Sequence, residues 1–412
     1  MPTRVPQRLP GGLVPRVRDP GAVIYPLSLD LAGRRVLVVG GGAVATRRTR
    51  ALLEAGAAVE VVSPEVDDGF PDVPVVRRPF ADADVDGAWL VLACTGIVDD
   101  AVAAACEQRR VWCVRADDAS RSPAWVPAVA RVDDVVVAVT AGRDPKRAVA
   151  LRDAIALSLE VGDLPLRRAR PGTGSVALVG GGPGDEGLLT VRGRRLLAGA
   201  DVVVRDRLAP HVRVADGVEV VDVGKTPGGD SWAQEDIEAL LVDRARSGAR
   251  VVRLKGGDVH VFARGIEEVA ACVEAGVPVE VVPGVSSALA VPACAGIPVT
   301  ARGVTQSFAV VSAHLPPGDP GSTVDWDALA RLGGTLVLLM AVGRLEQVCE
   351  VLMRGGRSGE TPVAVVQDGT LSGQTTVITT LAWASHDAAH VRAPAVVVIG
   401  EVVGQRVAAG EP

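Results

Sequence analysis

The sequence predicts an α/β protein of two domains, each organised on a largely parallel sheet covered by helices. Three observations carry this expectation. Short Val-rich runs alternate with Ala/Arg/Leu-rich helical segments along most of the chain, and strands this apolar are buried on both faces, as in parallel sheets. Two strand–glycine-loop units, "VLVVGGGAVATRR" at 36–48 and "VALVGGGPGD" at 176–185, lie about 140 residues apart. The 412 residues also exceed what a single hydrophobic core organises.

In order along the chain, residues 1–24 are basic, rich in Pro and Gly, and lack the apolar centre of a secretory leader, so they read as a flexible arm. Residues 25–145 form the first domain. "RRVLVVG" is a strand, "ATRRTRALLEAG" a helix closed by glycine, and "AAVEVVSP" the next strand. "AWLVLACTG" and "RVWCVRADD" are further strands, with "DDAVAAACEQR" the helix between them. Residues 146–174 hold one amphipathic helix, centred on "AVALRDAIALSLE", and a linker of helix breakers, "DLPLRRARPGTGS". The second domain, 175–405, resumes the alternation with strands in "VALVG", "DVVVRD", "RVVRLKGG", "VPVEVVPG", "FAVVSAH", "TLVLLMAVG", "TPVAVVQDG" and "PAVVVIGEVV". Its last part, with "TTVITTL", is richer in strand and less regular.

The net charge of −6 argues against a general nucleic-acid binder, yet leaves room for an anionic small substrate bound by local basic residues. No apolar run approaches the roughly 18 residues of a membrane span. The six cysteines (94, 106, 113, 272, 294 and 349) include no CxxC pair and read as reduced, mostly buried thiols. The five histidines form no HExxH, so no metal site is expected. These features describe a soluble cytoplasmic protein.

The first glycine loop, Gly40-x-Gly42-x-x-Ala45, follows a strand and opens a helix through Ala43 and Val44. Its first glycine permits a tight turn, its second lets the backbone approach a pyrophosphate, and the small third residue lets helix and strand pack closely. This is a dinucleotide pattern, set against the plainer reading of a ligand-free turn. An acid is expected at the end of the second strand for the ribose hydroxyls. Ser63, Pro64 and Glu65 stand there, with no arginine for a 2′-phosphate, so the loop favours NAD over NADP. Asp117 follows the strand in "RVWCVRADD", where open α/β sheets place ligands, and a carboxylate there is suited to proton transfer. A turn or capping aspartate is the alternative, one that Asp118 fits equally.

"YPLSLDLAGRRVLVVGGGAVATRR", "VLACT" and "DDASRSPAWVPA" resemble the NAD-dependent dehydrogenase and ferrochelatase module of the siroheme synthase family. The resemblance implies oxidation of precorrin-2 to sirohydrochlorin followed by insertion of ferrous iron, its metal substrate, with Asp117 as acid or base in both steps. Two departures stand out: Ala141 replaces a family serine, and the following helical segment is shorter than in long members.

The second glycine loop breaks the dinucleotide pattern. Pro183 precedes its last glycine and Asp185 follows it. Proline has no N–H, so this loop is poor at wrapping a pyrophosphate and better suited to a ligand without phosphates. "VGGGPGDEGLLTVRGRRLLAGADVVVRDRL", "VGK", "VVRLKGGD", "VPGVSSALAVPACAGIPVT", "TLVLLM" and "TPVAVVQDGT" then occur in order. Together they resemble the tetrapyrrole methylase family, in particular its uroporphyrinogen-III C-methyltransferases.

That resemblance implies S-adenosylmethionine folded in a cleft between two α/β subdomains, with Pro183, Gly256, Gly257, Asp258, Val261, Ser286, Ser287, Met340 and Gly369 around it. It implies Asp206 as the base drawing a proton from the macrocycle, and Lys225 as a proton donor or propionate anchor. A substrate with eight carboxylates needs basic neighbours, for which Arg207, Lys225, Lys255 and Arg264 are candidates beside the plainer reading of solvated surface charges. Arg205 stands where the family has tyrosine, and Val259, His260 and Ala263 alter its "GGDPFIFGRG" segment. The combined expectation is a homodimeric enzyme that methylates uroporphyrinogen III twice and then oxidises and metallates the product. Two alternatives remain: a methyltransferase for another tetrapyrrole, or a first domain that only dimerises or binds tetrapyrrole.

Overall fold

The computed structural model describes residues 25–118, 120–142, 144–167, 173–224 and 232–407. The chain divides into two compact units, 1–153 and 154–412. Among the described residues no helix is long and apolar enough to cross a membrane.

In the first unit, β1 (Arg35–Val39), α1 (Ala43–Glu54), β2 (Ala58–Val62), β3 (Val75–Val76), β4 (Leu90–Ala93), α2 (Asp99–Arg109) and β5 (Trp112–Arg115) form a five-stranded parallel sheet. Its order is β3-β2-β1-β4-β5, so the chain reverses its direction of travel across the sheet between β1 and β4. Successive side chains of β1 serve opposite faces. Val36 and Val38 join the core that contains Ala45 of α1, whereas Leu37 and Val39 join the one that contains Val102 of α2. This is the period-two consequence of a sheet buried on both sides.

An antiparallel hairpin follows, β6 (Ala128–Val132) and β7 (Val135–Val139). Its two-residue turn, Asp133-Asp134, places Asp133 at a φ of 51°, a position that Asp tolerates better than most residues. The alternation of apolar strands and helices did not announce this hairpin. Helix α3 (Pro145–Glu160) is the amphipathic helix expected from the sequence, and the division between the units falls inside it.

The second unit contains two sheets. The first is parallel: β8 (Ser175–Gly180), α4 (Val191–Ala198), β9 (Val202–Arg205), β10 (Glu219–Asp222), α5 (Gln234–Arg246), β11 (Arg250–Lys255), α6 (Gly265–Glu274) and β12 (Val279–Val282), with strand order β10-β9-β11-β8-β12. After α7 (Ser287–Cys294), the second sheet is built from β13 (Phe308–Ser312), α8 (Trp326–Arg331), β14 (Thr335–Leu339), α9 (Leu345–Arg354), β15 (Pro362–Gln367), β16 (Thr375–Thr380), α10 (Ala384–Asp387) and β17 (Ala395–Ile399). Its order is β13-β14-β17-β15-β16, and only β13 and β14 run parallel. The less regular β-rich ending is this mixed sheet, where β15 and β16 pair directly as neighbours instead of through a helical crossover.

Candidate functional sites

In the first unit the glycine loop lies beyond the C-terminal end of β1, at the reversal point of the strand order, where open α/β sheets form a ligand crevice. Gly40 has a φ of +119°, and a Cβ there would stand 2.7 Å from the Cys94 carbonyl oxygen beyond β4. Gly41, which no motif position singled out, is the tightest of the three: a Cβ would stand 2.0 Å from the Glu65 carbonyl oxygen. Gly42, by contrast, faces open space and caps α1 without a side-chain hydrogen bond. The first N–H groups of α1 therefore retain free capacity for an anion. A narrow floor at Gly40 and Gly41 beneath an open Gly42 fits a dinucleotide.

Ala43 and Val44 form the exposed start of α1, and buried Ala45 packs beneath it. Ser63 points inward, where its hydroxyl donates to the Glu65 carbonyl at 2.5 Å, fixing the turn that carries exposed Pro64 and Glu65. Gly41→Ala is expected to remove NAD binding and to destabilise the unit by about 1–3 kcal/mol through overpacking. Calorimetric titration with NAD and a thermal melt check this.

Asp117 lies two residues beyond β5 and is clasped by Arg115. The guanidinium Nε donates to Oδ1 at 2.9 Å and Nη2 to Oδ2 at 2.5 Å, while Nη1 reaches Asp100 at 2.5 Å. The Arg115 side chain is almost wholly buried, and its hydrogen bonds hold the Asp117 carboxyl down to about 2. A depressed carboxylate adds stability that is fully present above its unfolded value near 4 and is lost as pH falls through about 2. Asp117 is therefore a permanent carboxylate at neutral pH and a weak base. Its neighbour Asp118 accepts from the Ser120 backbone and hydroxyl, a turn role.

In the second unit the glycine-rich turns beyond β8, β11 and β12 interlock. Gly182 and Gly257 exchange backbone hydrogen bonds at 3.1 and 2.7 Å. A Cβ on Gly284 would stand 2.2 Å from the Gly257 carbonyl oxygen, and one on Gly256 would stand 2.7 Å from that of Leu208. The Asp258 carboxylate ties these turns together, accepting from the backbone N–H of His260 and Val261 through one oxygen and of Gly284 through the other. Its role is internal to the loop. Ser286 caps α7 by accepting from the Ala288 N–H, and Ser287 begins that helix beside Gly257.

The loop carrying Pro183 reaches the one carrying Gly369. The Asp185 N–H donates to Thr370 Oγ1 at 3.3 Å, Gly184 packs on Leu371, and a Cβ on Gly369 would stand 2.4 Å from the Val291 side chain. These turns leave no room for a Cβ where they meet, so the surface they present is largely main chain and suits a ligand gripped by backbone contacts.

A cavity of about 730 Å³ opens beside them, lined by His260, Arg264 and Ile266 on one side and Ser312, His314 and Met340 on the other. Phe262, Arg264 and Met340 on its wall have φ values of 55°, 58° and 58°. Asp368 (49°) and Thr370 (73°), which flank Gly369, share this conformation. Non-glycine residues held there are strained, and such strain gathers at functional sites. Arg264 and Met340 were singled out from the sequence on other grounds, and Phe262, Asp368 and Thr370 were not, because backbone strain has no composition signature.

Asp206 follows β9, with a side chain 31% exposed. Buried Arg253 holds its Oδ1 at 2.5 Å. One basic candidate, Lys255, and the departure at Arg205 find internal partners here. Lys255 is interior and paired with Glu268 at 2.9 Å, so it is no surface anchor for a substrate carboxylate. Arg205 forms a two-pronged pair with Asp222. Arg264 lines the cavity while paired with Glu267, and Arg207 is exposed. Val259 is fully buried beneath Gly265. Lys225 lies outside the described residues.

The chain matches the family model of tetrapyrrole (corrin/porphyrin) methylases over residues 175–384 and an NAD(P)-binding family model over residues 27–128. It is 36% identical to a siroheme synthase of Chromobacterium violaceum over an alignment of 450 positions, gaps included, covering 92% of this chain and 95% of that one. It is 35% identical to a siroheme synthase of Pseudomonas fluorescens, with 92% and 96% covered. Among solved structures, a cobalt precorrin-4 methyltransferase is 28% identical with a TM-score of 0.50, covering 56% of this chain and 95% of that one. A uroporphyrin III C-methyl transferase of Thermus thermophilus is 43% identical with a TM-score of 0.49, covering 56% and 100%.

Proposed function

The chain belongs to the siroheme synthase family, and from that premise we propose that it methylates uroporphyrinogen III at two ring carbons to precorrin-2, oxidises this to sirohydrochlorin, and inserts ferrous iron. The observation that carries the reading is the same in both units: a glycine-lined turn at the C-terminal ends of a parallel sheet, with a carboxylate held by a buried arginine at the same end of that sheet. S-adenosylmethionine supplies the sulfonium methyl in the second unit, and NAD takes up the hydride in the first.

The residues then act as follows. Asp206 receives the proton that leaves the macrocycle when the new C–C bond forms and the C–S bond breaks, once per methyl group. Pro183, Gly256, Gly257, Val261, Ser287, Met340 and Gly369 shape the donor's cradle, with Asp258 and Ser286 holding its loops in place. Arg264, Arg207 and Lys225 meet substrate carboxylates. In the first unit Gly40, Gly42, Ala43 and Val44 receive the pyrophosphate end of NAD, and Pro64 and Glu65, braced by Ser63, the ribose. Asp117 stabilises the positive charge that develops on the ring as hydride leaves; the ring proton lost in that step, and the N–H protons displaced as iron enters, pass to water beside this permanent carboxylate.

The reading includes the domain limits 25–145 and 175–405, with the helix and linker between them. It also includes a homodimer, supported by apolar residues exposed along α3, Val149, Leu151, Ile155 and Leu157, which a second copy can cover. A cytoplasmic location is supported by six cysteines that are all free.

The test is an anaerobic absorbance spectrum of the protein with uroporphyrinogen III and S-adenosylmethionine, recorded before and after NAD and then ferrous iron. Stepwise appearance of precorrin-2, sirohydrochlorin and siroheme is the expected result. Arrest at precorrin-2 would reduce the first unit to a scaffold, and no change in the first spectrum would remove the whole reading.

A further inference from the structure

Strand β11 is interior to its sheet, paired on both sides, with Arg253 in register with Leu178 of β8 and Val204 of β9. An arginine at such a position is exceptional unless its charge is met. Arg253 is 2% exposed, and its guanidinium spans two carboxylates: Nη2 lies 2.5 Å from Asp206 Oδ1 and Nε lies 3.0 Å from Glu268 Oε1. Lys255, two residues along the same face of the strand, repeats the pattern at 2.9 Å from Glu268 Oε1 and 3.9 Å from Asp206 Oδ2. Glu268, on the first turn of α6, is 0% exposed, and its Oε2 has no partner.

Two buried cations therefore face two carboxylates, and only Asp206 of the four reaches solvent appreciably. Burial, with Arg253 beside it, pulls the Lys255 pKa down, while Glu268 and Asp206 pull it up. Two further charged residues adjoin Asp206 in the chain. Arg205 is turned to Asp222 and His211, and Arg207 is exposed. The segment beginning at Lys225 lies outside the described residues.

We propose that Arg253 is the positioning residue of Asp206, and that the buried Arg253–Lys255–Glu268 cluster returns Asp206 to its carboxylate form between the two methyl transfers. This rests on Asp206 being the base. Each transfer forms one C–C bond, breaks one C–S bond and places one proton on Asp206. A protonated Asp206 leaves two buried cations facing one carboxylate, an arrangement far costlier than the balanced one. The proton is therefore driven off through the exposed edge of Asp206 to water, and the base is restored for the second ring carbon. Glu268 sets how strongly the cluster expels it, because its charge offsets part of the two cations.

The two ends of the cluster act in opposite senses, and this supplies the test. Methylation by wild type, Arg253→Met, Arg253→Lys and Glu268→Gln is followed across pH 3–9, with products separated by number of methyl groups. Arg253→Met is expected to move the acid limb of the kcat profile upward by about one pH unit and to accumulate singly methylated product. Arg253→Lys restores most of the wild-type profile, and Glu268→Gln moves the limb downward. KM for S-adenosylmethionine stays unchanged throughout. A merely structural role would lower activity without moving the limb in opposite directions, so unmoved limbs or shifts of the same sign overturn the proposal.

Thermal melts accompany each variant. Should Arg253→Met fail to fold, the isosteric Glu268→Gln and the conservative Arg253→Lys carry the test. Asp206→Asn separates the two readings: undiminished methylation in that variant removes Asp206 as base. An inactive Asp206→Asn with unmoved limbs in the others removes only the proton-expelling cluster.

Discussion

Asp206→Asn is expected to slow methyl transfer by about 10²–10⁴-fold, the usual contribution of a positioned general base, while S-adenosylmethionine binds with nearly unchanged affinity. The binding half follows from geometry. The donor's cradle is made of backbone turns around Gly182, Gly257, Gly284 and Gly369, and none of those contacts uses the Asp206 carboxylate, which is committed to Arg253. Asparagine keeps the shape and one hydrogen-bond acceptor but loses the charge that receives the proton. Single-turnover methylation measures the rate, and calorimetric titration with S-adenosylhomocysteine measures the binding. Undiminished turnover would show that the proton leaves by another route. A parallel collapse of binding would show that Asp206 supports the cradle instead.

Asp117→Asn should stop the pathway at precorrin-2. Methylation stays at the wild-type rate and NAD-dependent oxidation falls by about 10²–10³-fold, the scale found when one electrostatic stabiliser of a developing charge is removed. The clasp by Arg115, with both carboxylate oxygens engaged, makes a second expectation possible. Because Asp117 titrates near 2, protonation of this group contributes little decline in oxidation between pH 6 and 3.5. Arg115→Met should raise its titration and bring a decline into that window as pH is lowered, since a freed carboxylate loses its charge nearer pH 4. Stopped-flow oxidation of precorrin-2 across that range is the measurement. A decline already present in wild type would show that the clasp opens when substrate binds.

Most strands and helices were legible because their signal is local. β1 and β8 are Val/Leu-rich runs that end at glycine, and the runs at 308–312, 335–339, 362–367 and 395–399 were equally plain. The hairpin at Ala128–Val139 was not. Its strands are partly exposed, and its Asp133-Asp134 turn lacks the glycine that usually marks such a reversal. Lys255 shows a different limit. As a lysine in "RLKGG" it resembles a substrate anchor, and only the position of Glu268, 13 residues later, shows that its charge is already met in the interior.

The sequence by itself determined the two α/β units, the dinucleotide character of the first glycine loop, the phosphate-free character of the second and the candidate carboxylates. All of these depend on residue type and short spacing, which fix backbone freedom and the face a side chain takes. The tertiary structure alone decided what those carboxylates are bound to. Asp206 meets Arg253 across 47 residues. Met340 and Arg264 hold strained conformations around one cavity, and Gly41 is pressed against the turn at Glu65. Charge balance, strain and close approach are properties of atoms that folding brings together, and no local pattern encodes which distant partner will arrive.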